Sequence, residues 1–84
     1  MMNGMLWFDN TSLALAAKIK QALAYYGRKY GKSAEVCLIS NVDAEGVSLE
    51  EISKDCSLQV KASKTVQPNT LWIGFEELVS KDLN

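Results

Sequence analysis

Residues 12–31 read SLALAAKIKQALAYYGRKYG, and this stretch decides the fold. Its apolar residues recur every three or four positions, which is the spacing of one face of an amphipathic helix. They are Leu15, Ile19, Ala22, Leu23, Tyr26 and Tyr30. Residues 10–12, Asn-Thr-Ser, are good N-cap residues at its start, and Gly31 occupies the position of a C-cap glycine at its end. The pattern predicts one long helix over residues 12–30.

Short apolar segments flank this helix and predict the strands of a sheet. The segment before the helix ends at Asp9, and the segment after it contains Val36 to Ile39 without a polar break, as in a strand buried on both faces. Farther on, apolar and polar residues alternate as in a half-exposed strand, and a last, almost continuous apolar segment follows a turn at Pro68-Asn69. The predicted strands are 5–9, 35–40, 57–63 and 70–75.

A short second helix is predicted between the second and third strands. Ser48 and Glu51 match the S-x-x-E capping box, so we expect a helix over residues 49–54 with Leu49 and Ile52 turned inward. The element order is β-α-β-(short α)-β-β. It indicates an α+β protein, with a small mixed sheet of three or four strands and one long helix packed on one face. We expect a right-handed parallel crossover in the first β-α-β unit and antiparallel pairing of the last two strands.

Length and composition indicate a single domain over residues 1–84, with frayed ends at 1–4 and 80–84 and one more helical turn within 76–84. Hydrophobic residues make up 48% of the chain and the net charge is −1, which argues against a disordered chain. No apolar run approaches the roughly 20 residues of a membrane-spanning helix. The start of the chain lacks the basic residues of a secretion signal. We therefore expect a cytoplasmic protein that contacts no membrane.

The residues needed for catalysis or for a metal site are scarce in this sequence. The chain has no histidine, and Cys37 and Cys56 are too far apart for a metal or redox motif. We expect both thiols to be free, with Cys37 inert inside its apolar strand and Cys56 partly exposed. The sequence predicts no catalytic residue, no cofactor and no metal, and it favours a protein that is not an enzyme.

Two short motifs have a simpler structural interpretation. Residues 27–33, GRKYGKS, resemble a phosphate-binding P-loop, but one residue is missing between the glycines. The motif also ends a helix, whereas a P-loop begins one so that helix N–H groups meet the phosphate. We interpret it as a helix end with a basic surface. Residues 10–12 match a glycosylation sequon, which we interpret as a helix cap.

The long helix carries only positive charges, although the chain as a whole is slightly acidic. Helical spacing places Lys18, Gln21, Tyr25, Arg28 and Lys29 on one outer flank. The candidate anion-binding residues are Lys18, Tyr25, Arg28, Lys29 and Lys32. A basic flank with a tyrosine available to stack on bases is typical of a nucleic-acid binder. A solvated helix face explains the same pattern, and we favour that interpretation.

The aromatic residues indicate an apolar sheet face that the helices do not cover. Trp7 and Phe8 must point to opposite faces of their strand, as must Trp72 and Ile73. One long and one short helix cover little more than one face of a four-stranded sheet, and monomers rarely leave so large an apolar area exposed. We expect a two-fold homodimer that buries this face, with Trp7, Trp72 or Phe75 as anchors.

Four segments together resemble a group of short, uncharacterised bacterial proteins. They are Leu6 to Asp9, Tyr25 to Gly31, the strand around Cys37-Leu38, and Pro68 to Gly74. The resemblance spans most of the chain; it implies one compact domain and no particular activity. Several proteins of that group carry a histidine where this chain has Thr70, so no catalytic histidine carries over.

Taken as a whole, the sequence favours a non-enzymatic protein-interaction module that self-associates or binds another protein. The alternative is a weak nucleic-acid or polyanion binder that uses the basic flank of the long helix.

Overall fold

The structure, a computed structural model, describes residues 2–76, so most of the helical turn predicted within 76–84 and the frayed end predicted at 80–84 lie outside the described residues. Strands and helices alternate only in the first half of the chain. In chain order the elements are β1 (Met2–Phe8), α1 (Leu15–Tyr30), β2 (Val36–Ser40), α2 (Asn41–Ala44), α3 (Leu49–Cys56), β3 (Gln59–Ser63) and β4 (Thr70–Glu76). β1 begins at Met2, so it includes residues that were expected to fray.

The four strands form one mixed sheet in the order β1-β4-β2-β3, which confirms the predicted α+β fold. β4 is antiparallel to both of its neighbours, and β2 and β3 are parallel. The prediction that the last two strands pair is wrong, because β4 lies between β1 and β2. Its nearly continuous apolar sequence suits a central strand, whereas the exposed Gln59 and Lys61 suit β3 to an edge. The parallel strands β1 and β2 are therefore separated by β4.

The helix α1 begins later than predicted, at Leu15. Its N-cap residue is Ala14, which offers no side-chain hydrogen bond. The polar residues before it turn the chain instead, since the Thr11 N–H donates to Asp9 Oδ1 at 2.9 Å. The C-terminal prediction is confirmed. Gly31 has a left-handed φ of 73° and its N–H donates to the Gly27 carbonyl oxygen at 2.9 Å.

The short helices begin at serine caps. Ser48 Oγ accepts a hydrogen bond from the Glu51 N–H at 3.3 Å, as the capping box predicts. Ser40 Oγ accepts one from the Asp43 N–H at 3.0 Å and starts α2, a segment that the sequence had indicated as a polar loop. Ser40 ends β2 and begins α2 at once, so β2 turns directly into a helix without a linking loop.

A single hydrophobic core joins the helices to one face of the sheet. On α1, Ile19, Ala22 and Tyr26 are almost fully buried, and Leu49 and Ile52 of α3 pack against the same cluster, as predicted. The sheet contributes Cys37, Ile39, Val60, Leu71 and Ile73. Each fully buried large apolar side chain contributes about 1.5–3 kcal/mol relative to an exposed one. Among residues 2–76, no helix is long and apolar enough to cross a membrane.

Candidate interaction surface

The face of the sheet opposite the helices is apolar at its centre, and the described helices leave it uncovered. Side chains alternate along each strand, so the neighbours of the core residues point to this second face. Leu6 is 69% exposed and Phe8 is 66% exposed, which are high values for large apolar residues on a strand. We call the surface formed by Leu6, Phe8, Leu38, Thr70 and Trp72 the open face.

Trp72 lies at the centre of the open face. The strand register places it between Leu6 of β1 and Leu38 of β2. Its indole ring also covers Gly4, because a Cβ built at that glycine would collide with the ring and with the Ile73 carbonyl oxygen. A glycine at position 4 therefore lets the aromatic ring lie close against the backbone of β1.

The segment that links β3 to β4 adds a wall to the open face. It has to pass the end of β2, because β2 lies between the two strands that it joins. The Ser63 and Thr65 hydroxyls hydrogen-bond at 2.8 Å, and the Thr65 N–H donates to Ser63 Oγ at 3.2 Å, so the start of the segment is held in place. The result is a groove of about 480 Å³. Its lining residues are Leu6, Leu38, Thr65, Val66, Gln67, Thr70 and Trp72.

The three predicted anchors lie on different faces. Trp72 is on the open face, whereas Trp7 and Phe75 pack against the core on the covered face. The Trp7 ring lies 5.3 Å from the ring of Tyr25, and its buried Nε1 has no hydrogen-bond partner among the described residues. Leu6 and Phe8 were not predicted as interface residues. Alternation along β1 groups the two residues on one face, and the register with β4 shows that this is the face of Trp72.

The candidate anion-binding residues make different contacts in the structure. Lys18 is half-buried, and its Nζ donates to the Asp9 carbonyl oxygen at 3.0 Å. Lys32 lies over the Phe75 ring, with Nζ 3.8 Å from the ring centre. Arg28 is exposed.

One part of the predicted flank does form an aromatic and basic cluster. Lys29 Nζ lies 5.9 Å from the centre of the Tyr25 ring and 5.4 Å from that of Tyr30. The two tyrosines are 40% and 44% exposed, so each ring keeps an accessible surface beside the ammonium group. The tyrosine-lysine cluster can contact a polyanion through charge and stacking together.

Both thiols are free and poorly suited to nucleophilic chemistry. Burial, with a smaller effect from Cys56, raises the pKa of Cys37 to about 12. Burial also raises the pKa of Cys56, whose Sγ donates to the Ala16 carbonyl oxygen at 3.8 Å. The prediction that Cys56 is partly exposed is wrong, because the end of α3 packs against α1 and leaves this residue 7% exposed. A thiol with a raised pKa forms little of the reactive thiolate at neutral pH.

A second, smaller cleft of about 240 Å³ lies where β1 and β2 end. Two of its lining residues are joined, since the Asn69 N–H donates to Asp43 Oδ2 at 2.8 Å, and nearby the Asp9 N–H donates to the Asn69 carbonyl oxygen at 2.9 Å. Hydrogen bonds from the Thr11 hydroxyl and N–H lower the pKa of the Asp9 carboxyl. These bonds tie the loops together, so the groups act as structural contacts.

Comparisons with known proteins add no functional assignment. The chain matches no protein-family model, and no curated sequence or solved structure is significantly similar to it. Within the described residues, no group of acidic, cysteine or histidine side chains could hold a metal ion. The resemblance to short bacterial proteins stays a prediction.

Proposed function

We propose that this chain is a non-enzymatic protein-interaction module that self-associates, with Leu6 and Phe8 of the open face at the contact. One observation carries the proposal: Leu6 and Phe8 of β1 are about two-thirds exposed, beside the groove that Trp72 lines. Full burial of such a side chain contributes about 1.5–3 kcal/mol, and a two-fold dimer brings four of them, two from each copy, to the contact.

The charge distribution on the open face supports a protein partner. Its centre has no charged side chain, while Gln59 and Lys61 lie at its β3 side. An apolar centre with a polar rim is the common arrangement of protein-protein interfaces. A neutral centre also allows a second copy to approach without repulsion between like charges.

The environment of the cysteines supports a reducing compartment such as the cytoplasm and a protein without thiol chemistry of its own. Free thiols persist in a reducing compartment. Cys37, the most deeply buried of them, is held in its neutral form by the burial that raises its pKa to about 12.

Light scattering over a range of concentrations tests self-association. We expect the natural chain to be a dimer and the Leu6→Ser/Phe8→Ser variant to be a monomer. The matched control is Leu13→Ser/Val42→Ser, which changes two other exposed apolar residues, 44% and 60% exposed, that are not among the residues of the open face. The control should remain dimeric. A natural chain that is still monomeric at millimolar concentration contradicts the proposal.

The tyrosine-lysine cluster favours a second candidate function, binding of a single-stranded nucleic acid. Fluorescence anisotropy with a labelled DNA oligonucleotide tests it. Arg28→Glu/Lys29→Glu should abolish binding, whereas Lys61→Glu/Lys64→Glu, with the same change of charge near the β3 edge, should retain it. Binding through phosphates also weakens steeply as salt rises. The same affinity in both variants, or no measurable binding, rules out this candidate.

A further inference from the structure

The outer edge of β1 offers unpaired backbone groups to a partner. In the described residues, β1 pairs only with β4 and ends the sheet. The Asp9 N–H donates to the Asn69 carbonyl oxygen, and these residues continue the β1–β4 register. Since facing pairs alternate between bonded and non-bonded in an antiparallel ladder, Met5 and Trp7 direct their backbone groups toward β4. Gly4, Leu6 and Phe8 then direct theirs outward.

The sequence of β1 leaves this edge unprotected. The strand is seven residues long and contains no charged residue and no proline. Exposed edge strands are commonly protected by charge, proline or short length, because their free N–H and C=O groups accept another strand. β1 has none of these protections, so it is suited to pair with a further strand.

The opposite edge of the sheet has such protection. β3 is only five residues long, carries Lys61 at its centre and is followed by Lys64. Both lysines are exposed. Strand addition at this edge would have to accommodate their charges, which a second copy of the same edge would double. The two edges therefore differ in strand length and in charge, and only the β1 edge is free of charged residues.

We infer that β1 pairs with β1 of a second copy in an antiparallel ladder about a two-fold axis, so that two four-stranded sheets form one continuous sheet. This inference rests on the proposed function, since it assigns the geometry of self-association. Full overlap of β1 places the axis at Met5 and sets Gly4 opposite Leu6 of the second copy. That leucine then lies beside the Trp72 ring that covers Gly4.

A second copy satisfies several features of this edge at once. The outward N–H and C=O groups of each β1 meet the same pattern on the other strand, which a two-fold antiparallel pair requires. The absence of charge in β1 removes repulsion between the copies. The pairing also joins the two open faces into one continuous surface, with Leu6 opposite Gly4 and Phe8 opposite Met2 of the other copy, and reduces the exposure of both side chains. Stacking of two open faces would instead leave both β1 edges unpaired.

Amide hydrogen exchange followed by NMR on the natural chain distinguishes edge pairing from face stacking. The amides of Gly4, Leu6 and Phe8 should exchange slowly where the protein is dimeric and quickly on dilution. When nine-tenths of the chains are dimeric, we expect exchange about tenfold slower than in the monomer, since only the monomer exposes these amides. Met5 and Trp7 are internal controls whose amides bond to β4 and should be protected at every concentration.

Each outcome of this experiment decides one question. Fast exchange of the outward amides in a dimer overturns edge pairing and leaves self-association through the open face intact. A monomer at all concentrations overturns both.

Leu6→Pro and Leu6→Ala provide a second measurement, because both shorten the side chain and only proline removes the outward N–H. Edge pairing predicts a larger increase in the dimer dissociation constant for the proline variant, at least about tenfold for the lost bonds; equal effects contradict it.

Discussion

The two faces of the sheet are built from the same strands, yet they differ in burial. On the covered face, Ile39 and Ile73 have no exposed surface because they lie in the core between the sheet and the helices. On the open face, Leu6 and Phe8 are more than half exposed although they are equally apolar. The comparison shows that apolar character makes both faces candidates for burial, and that the number and position of the helices decide which face becomes the core.

Truncation of a core residue on the helix side should cause the largest loss in the free energy of unfolding. Ile19→Ala removes a fully buried side chain and should lower the free energy of unfolding by about 2–5 kcal/mol. Leu6→Ala, which truncates an exposed side chain, should change it by no more than about 0.5 kcal/mol at concentrations where the protein is a monomer. Urea denaturation of both variants provides the measurement. Equal losses would mean that the open face is buried in the monomer.

A methyl group added at Gly4 should have the next largest effect. Gly4→Ala forces its new Cβ against the Trp72 ring and the Ile73 carbonyl oxygen, so the free energy of unfolding should fall by about 1–3 kcal/mol. Gly27→Ala is the matched control, because nothing lies within 4 Å of a Cβ at that helical position. It should stabilise the protein by about 0.5–1 kcal/mol. Thermal unfolding of the two variants should therefore shift in opposite directions.

The buried thiol of the covered face should make stability depend on alkaline pH. Burial raises the pKa of Cys37 from 9.0 to about 12, so the folded state keeps a proton that the unfolded state releases. Stability is then fully present below the unfolded pKa and falls between pH 9 and 12, by at most about 1.4 kcal/mol per pH unit from this group. The difference between the natural chain and Cys37→Ala in urea denaturation isolates this dependence. A difference that does not change with pH contradicts the burial of the thiol.

Thiol labelling gives the smallest effect, a difference of rates between the two cysteines. Cys37 has no exposed surface and Cys56 is 7% exposed, so under native conditions Cys56 should react first and both should react slowly. Titration with a thiol reagent, followed by mass spectrometry of the labelled peptides, measures the order. Faster reaction at Cys37 would place β2 closer to the surface than the structure shows.

Local patterns predicted the elements better than their arrangement. The spacing of Ile19, Ala22 and Tyr26 was sufficient to predict α1 and the face that it buries, because helical periodicity depends only on neighbouring turns. The serine cap of α2 was overlooked, since a helix of four residues leaves almost no periodic signal. At the candidate site, Trp72 was predicted as an interface residue. Alternation along β1 places Leu6 and Phe8 on one face, but only the sheet register shows that this face is that of Trp72.

By itself, the sequence determined the positions of the strands, the long helix with its glycine cap, and the presence of more apolar surface than the helices can cover. These properties follow from alternation, helical spacing and capping, which act over a few residues. Only the tertiary structure decided that β4 inserts between β1 and β2, that Trp7 and Phe75 face the core, and that β1 is an edge. The physical reason is that strand pairing joins segments far apart in the chain, so the order of the sheet depends on which complete set of contacts best buries the core.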